Sequence, residues 1–148
     1  MTMPRTRLII LALIAGIVVL ATLVLTHNRA ASEASALVLD VNTRSLGNWD
    51  PEPVLSHAHD SLLADAGPDF FHTYFRALQR LGNLQEIRDI TFELTLSPPW
   101  TLYRAGSAHY TMNASFSAGQ AEIRMTLIRE NGRWMISEYL VLTPALAS

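Results

Sequence analysis

Residues 8–25, bounded by Leu8 and Leu25, form an unbroken run of eighteen uncharged, almost wholly apolar residues (LIILALIAGIVVLATLVL). Arg5 and Arg7 precede it, and His27, Asn28 and Arg29 follow. At about 1.5 Å of rise per helical residue the run spans roughly 27 Å, close to a hydrocarbon core of about 30 Å. One membrane crossing is its natural use, and the rest of the chain is too polar to cross again.

A secretory signal peptide is the competing reading, because small residues follow the run and Ala34-Ser35-Ala36 has the A-x-A form of a cleavage site. Signal cores usually extend over about 7–15 residues, and this run is longer, with Arg29 directly behind it, which favours a retained anchor. Arg5, Arg7 and the terminal amine outweigh Arg29, so the charge bias places the N-terminus in the cytoplasm and the remainder in the periplasm or outside the cell. The cytoplasmic (inner) membrane is thus the expected location. With no cysteine in the chain, a lipid-modified cysteine, a disulfide framework and a thiolate metal site are all excluded.

From Ala30 onward the chain carries eight arginines, no lysine and thirteen carboxylates, a formal charge of −5. Phosphate backbones call for clustered cations, so no nucleic acid partner is expected. The domain plan is a cytoplasmic N-terminus and membrane helix over 1–29, a stalk or linker over 30–48, and one extracytoplasmic domain over 49–148. In the linker, Ala30 to Ala36 reads as a small polar stalk or a frayed continuation of the membrane helix. Leu37 to Val41 reads as a short strand or a docking linker.

Asp50-Pro51-Glu52 starts the first helix of the domain, since a capping carboxylate, an early proline and a first-turn acid all suit the exposed amides of a helix N-terminus. The helix is expected over 50–66, ended by Gly67-Pro68, with Val54, Leu55, Ala58, Leu62 and Ala66 on one face. A second helix is expected over 68–81, ended by Gly82-Asn83. Its apolar face is Phe70, Phe71, Tyr74, Leu78 and Leu81, opposite His72, Arg76, Gln79 and Arg80.

Beyond Glu86 the period changes from helical to two. Ile90, Phe92, Leu94 and Leu96 alternate with polar residues up to Ser97-Pro98-Pro99, and Thr101 to Arg104 reads as extended. Tyr110, Met112, Ala114 and Phe116 mark the next strand. Ala121, Ile123, Met125 and Leu127 mark the one after. Asn131-Gly132 predicts a type I′ hairpin, because both residues accept positive φ. In the last strand Trp134 and Ile136 are out of phase with Tyr139 and Val141, which predicts a bulge near Ser137.

The expected fold is therefore α+β: a transmembrane helix, then two helices on one face of an antiparallel sheet of about four strands. Two helices before a meander, with Asn131-Gly132-Arg133-Trp134-Met135-Ile136 leading into a hydrophobic last strand, resembles the nuclear transport factor 2-like (cystatin-like) superfamily over residues 49–143. That resemblance implies a strongly bent sheet that forms, with the helices, a cone-shaped pocket. Its enzymes, such as ketosteroid isomerases and dehydratases, place Asp, His or Tyr in the cone. Other members are structural subunits of secretion machines, including the inner-membrane core component of type IV secretion.

The inward series here is aliphatic and aromatic, so the polar candidates for a ligand pocket are His59, Tyr74, Tyr110 and Tyr139. No catalytic residue, metal ligand or cofactor is expected. His57 and His59, two apart on a helix, do not share a face and cannot chelate one ion together. No G-x-S-x-G and no glycine-rich phosphate loop is present. Two functions follow. The first is a non-enzymatic binding or scaffold domain held at the membrane, assembling as a homodimer or with an envelope protein. The alternative is a small-molecule carrier or an isomerase or dehydratase-type enzyme using the cone.

Overall fold

A computed structural model describes residues 4–144. The terminal amine counted in the charge bias and the final four residues of the expected domain lie outside the described residues. The first element, α1 (Arg5–Asn48), is one continuous helix of 44 residues. Its N-terminal part is long and apolar enough to cross a membrane, and none of that window is covered by the rest of the chain. Its C-terminal part is covered: Ala30, Ala34, Val38, Val41, Asn42, Ser45 and Leu46 are buried, a stripe spaced by three and four residues.

Residues 30–48 are therefore the helix's continuation, packed into the core. Leu37 to Val41 is helical, not the short strand of one expectation; as the docking alternative has it, the segment packs on the domain through Val38 and Val41. Cleavage at Ala34-Ser35-Ala36 would remove Ala30 and Ala34 from the protein's own interior. α1 ends at Trp49, whose left-handed backbone (φ 52°) is held by an indole N–H donated to Gly82 O at 2.9 Å and by stacking on Phe116 at 5.2 Å.

The helix expected over 50–66 is two short ones, α2 (Glu52–Ser56) and α3 (Asp60–Asp65). Asp50 Oδ1 accepts the Glu52 amide at 3.0 Å, although the N-cap position of α2 falls to Pro51 and not to Asp50 as expected. The break has a tertiary cause. His59 N donates to Ile136 O and Ile136 N donates to His57 O, each at 2.7 Å, so the backbone at Ala58 pairs with the sheet edge instead of with its own helix. The apolar stripe survives the break: Val54 and Leu62 are buried, and Leu55, Ala58 and Ala66 pack against the core.

α4 (Pro68–Leu78) follows, with a 3₁₀ turn over Gln79–Leu81. Phe71, Phe75, Leu78 and Leu81 are buried. Phe70, expected on the inner face, is 54% exposed, and Phe75 holds the core position instead. Gly82 stops the turn at φ 84°, ψ −150°, a conformation open to glycine alone.

Four strands follow among the described residues: β1 (Leu84–Leu96), β2 (Gly106–Phe116), β3 (Gly119–Glu130) and β4 (Arg133–Leu142). They form one antiparallel open sheet in the order β1-β2-β3-β4. Asn131 (φ 52°) and Gly132 (φ 77°) make the β3–β4 turn with the positive φ values expected. Thr126 pairs with Glu138 and Leu127 with Ile136, so Ser137 is the extra residue and Trp134, Ile136, Tyr139 and Val141 are all buried on the helix-covered face. Thr101 to Arg104 is not extended. A 3₁₀ turn (Pro99–Thr101) leads into Leu102 and Tyr103, both at φ 54°.

Candidate functional site

Tyr110, Met125 and Tyr139 occupy one row across β2, β3 and β4, because Met125 pairs with Tyr110 on one side and with Tyr139 on the other. The C-terminal half of α1 crosses this row and supplies a polar partner for each phenol. Ser35 Oγ lies 3.0 Å from Tyr110 Oη, and Tyr139 Oη donates to Asn42 Oδ1 at 2.9 Å. Ser35 and Asn42 are seven residues apart, two helical turns, so they fall on one face of α1. The Asn42 amide nitrogen donates to Val38 O at 2.8 Å and to Met125 Sδ at 3.0 Å, which leaves this buried side chain fully paired.

Tyr74 turns away from that row. Its hydroxyl donates to Val141 O at 2.7 Å and accepts the Val141 amide at 3.0 Å, closing the outer edge of β4 as the Ala58 backbone closes it at Ile136. Burial raises the Tyr74 pKa, partly offset by its bond to Val141. Burial raises that of Tyr139 further, with the nearby Tyr74 adding to the shift. Both phenols stay neutral through the physiological range.

His59 caps α3. Its Nδ1 accepts the Ser61 amide at 3.1 Å, which places the ring proton on Nε2, and that proton is donated to Glu130 Oε1 at 3.0 Å. The structure thus brings Tyr110 and Tyr139 under one helix, sets Tyr74 beside Tyr139, and holds His59 apart at the β3–β4 end, each with a protein partner. His109 lies on the opposite sheet face against Thr126 Oγ1 at 3.0 Å. Among the described residues no three of His, Asp and Glu gather as a metal cage. No family model, no curated protein and no solved structure matches the chain.

Sequence reasoning missed the seam where α1 enters the domain. Trp134 Nε1 donates to Ala30 O at 2.9 Å. Beside it Arg129 is 8% exposed, donates from Nε to Tyr103 O at 2.8 Å, lies 3.5 Å from Glu33, and sets its guanidinium over the Trp134 ring. His27 meets the edge of Tyr103 with ring centres 5.3 Å apart. The available signal was the three-and-four spacing of Ala30, Ala34, Val38, Val41 and Ser45, which continues the helical period beyond the apolar run.

The two edges of the sheet differ. β4 is covered at Ile136 and Val141, whereas no hydrogen bond reaches the outer edge of β1 among the described residues. Asp89 (φ 55°) interrupts the β1 register, so its two halves are residues 84–88 and 91–96. On the second half Phe92 stacks on Tyr110 at 5.4 Å yet is 53% exposed.

Proposed function

We propose that this protein is a non-enzymatic, membrane-anchored binding or scaffold domain, displayed on the outer face of the cytoplasmic membrane and assembling through β1. The observation that carries the reading is the continuity of α1 (Arg5–Asn48): one helix is both the apolar span and a principal core element of the domain. A domain fixed in this way is held close to the membrane in a defined orientation, which suits a structural part better than a tethered catalyst. Arg5 and Arg7 before the span support a cytoplasmic N-terminus. The burial of Ala30 and Ala34 supports an anchor that stays attached.

The inner sheet face supports a binding role over a carrier or isomerase. Tyr110 and Tyr139 spend their hydroxyls on Ser35 and Asn42, and α1 occupies the space that a ligand would need above them. Membership of the nuclear transport factor 2-like superfamily is part of the proposal. It is supported by helices preceding a four-stranded meander and by Asn131-Gly132-Arg133-Trp134 turning back so that Trp134 bonds to the long helix. Fold alone does not assign chemistry to such a domain.

A second copy of the chain is the proposed partner, added antiparallel along residues 91–96. The absence of cysteine makes the test direct. Thr91→Cys, Glu93→Cys and Thr95→Cys are introduced one at a time into the full chain in detergent and oxidised, with Glu138→Cys on β4 as control. A covalent dimer from a β1 position but not from Glu138→Cys supports the assembly. Uniformly monomeric protein by native mass spectrometry, with no crosslink from any position, rejects it.

A further inference from the structure

The connection between β1 and β2, residues 97–105, is held rigidly although it is largely exposed. Ser97 Oγ and Thr101 Oγ1 lie 2.6 Å apart, Thr101 Oγ1 donates to Pro98 O at 2.6 Å, and the Ala105 amide donates to Ser97 Oγ at 3.2 Å. Two bonds tie it to the sheet: Arg129 Nε to Tyr103 O at 2.8 Å, and Gly132 N to Arg104 O at 2.9 Å. Successive left-handed residues, Leu102 and Tyr103, complete the turn. The result is an ordered platform that leaves Trp100 82% and Leu102 53% exposed to solvent.

The position of α1 points to an occupant for these exposed side chains. Pro99 and Tyr103 share a surface depression with Leu20, Leu23, Val24 and His27 of α1. Leu20 lies five residues inside the end of the apolar run, about 7.5 Å along the helix axis at 1.5 Å per residue. Resting on the reading of residues 8–25 as a membrane span, a loop that reaches beside Leu20 lies at the boundary between the lipid headgroups and the hydrocarbon or deeper. Tryptophan and tyrosine are favoured at that level, where an apolar ring meets hydrocarbon and its polar edge meets water.

We propose that residues 98–103 form a second membrane contact, seated in the headgroup layer of the leaflet from which the domain emerges, with Trp100 and Leu102 against lipid. The occupant is a phospholipid surface. The span and the loop then hold the domain at two points, which fixes its rotation about α1 as well as its height.

Tryptophan emission tests this in the full-length chain reconstituted into phosphatidylcholine vesicles, with and without bromine atoms on the acyl chains as quencher. Trp49 and Trp134, the two other tryptophans, are constant between wild type and Trp100→Phe. The expected result is strong quenching of wild type by the brominated lipid and loss of most of that quenching in Trp100→Phe. Equal quenching of the two proteins, while both float with the vesicles after alkaline extraction, overturns the loop contact and leaves the span intact. Protein that fails to float overturns the span, and the loop's placement with it. A Leu102→Asp variant gives an independent reading: the emission of Trp100 should shift to longer wavelength as the loop leaves the lipid, and an unchanged spectrum counts against the proposal.

Discussion

Tyr139 on β4 donates its hydroxyl proton to Asn42 Oδ1 at 2.9 Å, a bond between residues 97 positions apart that joins the last strand to the continuation of the apolar helix. Both side chains are buried, so neither has water as a substitute partner. Asn42→Leu strands the phenol and should cost about 1–3 kcal/mol. Tyr139→Phe in the same chain should recover a large part of that loss, because it removes the unpaired group. Denaturant unfolding of the two single variants and the double variant in detergent measures the coupling, and strictly additive losses would show that the bond contributes nothing.

The same tyrosine makes the protein sensitive to alkali. Burial, with a smaller contribution from Tyr74, raises the Tyr139 pKa above its ordinary value of 10.0, so the folded state holds its proton after the unfolded chain has released it. Stability is therefore complete below pH 10 and falls as pH rises from there. Unfolding followed from pH 8 to pH 11 should show this decline in wild type and a shallower one in Tyr139→Phe. Parallel profiles would assign the decline to other groups.

Gly82 is a backbone position closed to a side chain. At φ 84° its carbonyl accepts the Trp49 indole, and an added Cβ would collide with Ser117 Oγ, which itself accepts the Asn83 amide at 2.9 Å. Gly82→Ala should destabilise by about 1–3 kcal/mol from the backbone alone. Gly47, whose surroundings are open, serves as control: Gly47→Ala should be neutral or slightly stabilising, since it sits within α1. Thermal unfolding of both variants gives the comparison.

His59 is expected to act through its cap. His59→Ala removes the acceptor for Ser61 N and should cost about 1 kcal/mol, whereas His59→Asn retains an N-cap acceptor and should restore much of it. A loss equal in both variants would assign the effect to the Glu130 contact instead.

Much of the architecture is legible in the sequence. Eighteen apolar residues between arginines announce a helix of membrane length, because no soluble surface accommodates them uncovered. Asn131-Gly132 specifies its turn through φ values that few other residues accept. The phase slip between Ile136 and Tyr139 required an extra residue, and Ser137 is that residue. These are local signals, each written in adjacent side chains.

Other features depended on groups far away in the chain. Ala30-Ala31-Ser32-Glu33-Ala34-Ser35-Ala36 reads equally as a stalk or as a continuation of the membrane helix; it is the continuation, and its small residues let α1 lie close to Tyr110 and Trp134. The helix from Asp50 has an unbroken apolar stripe, and it breaks at Ala58, where the edge of β4 offers two backbone bonds and His59 caps the helix that follows. No carboxylate could be paired with His59 from the sequence, although Asp60 adjoins it; the fold brings Glu130, 71 residues on, to 3.0 Å. Periodicity and turn chemistry thus determined which elements this chain forms. Which surfaces they cover, and how the apolar helix becomes part of the domain it carries, was decided by tertiary contacts, since hydrogen-bond partners and buried faces are properties of two segments at once.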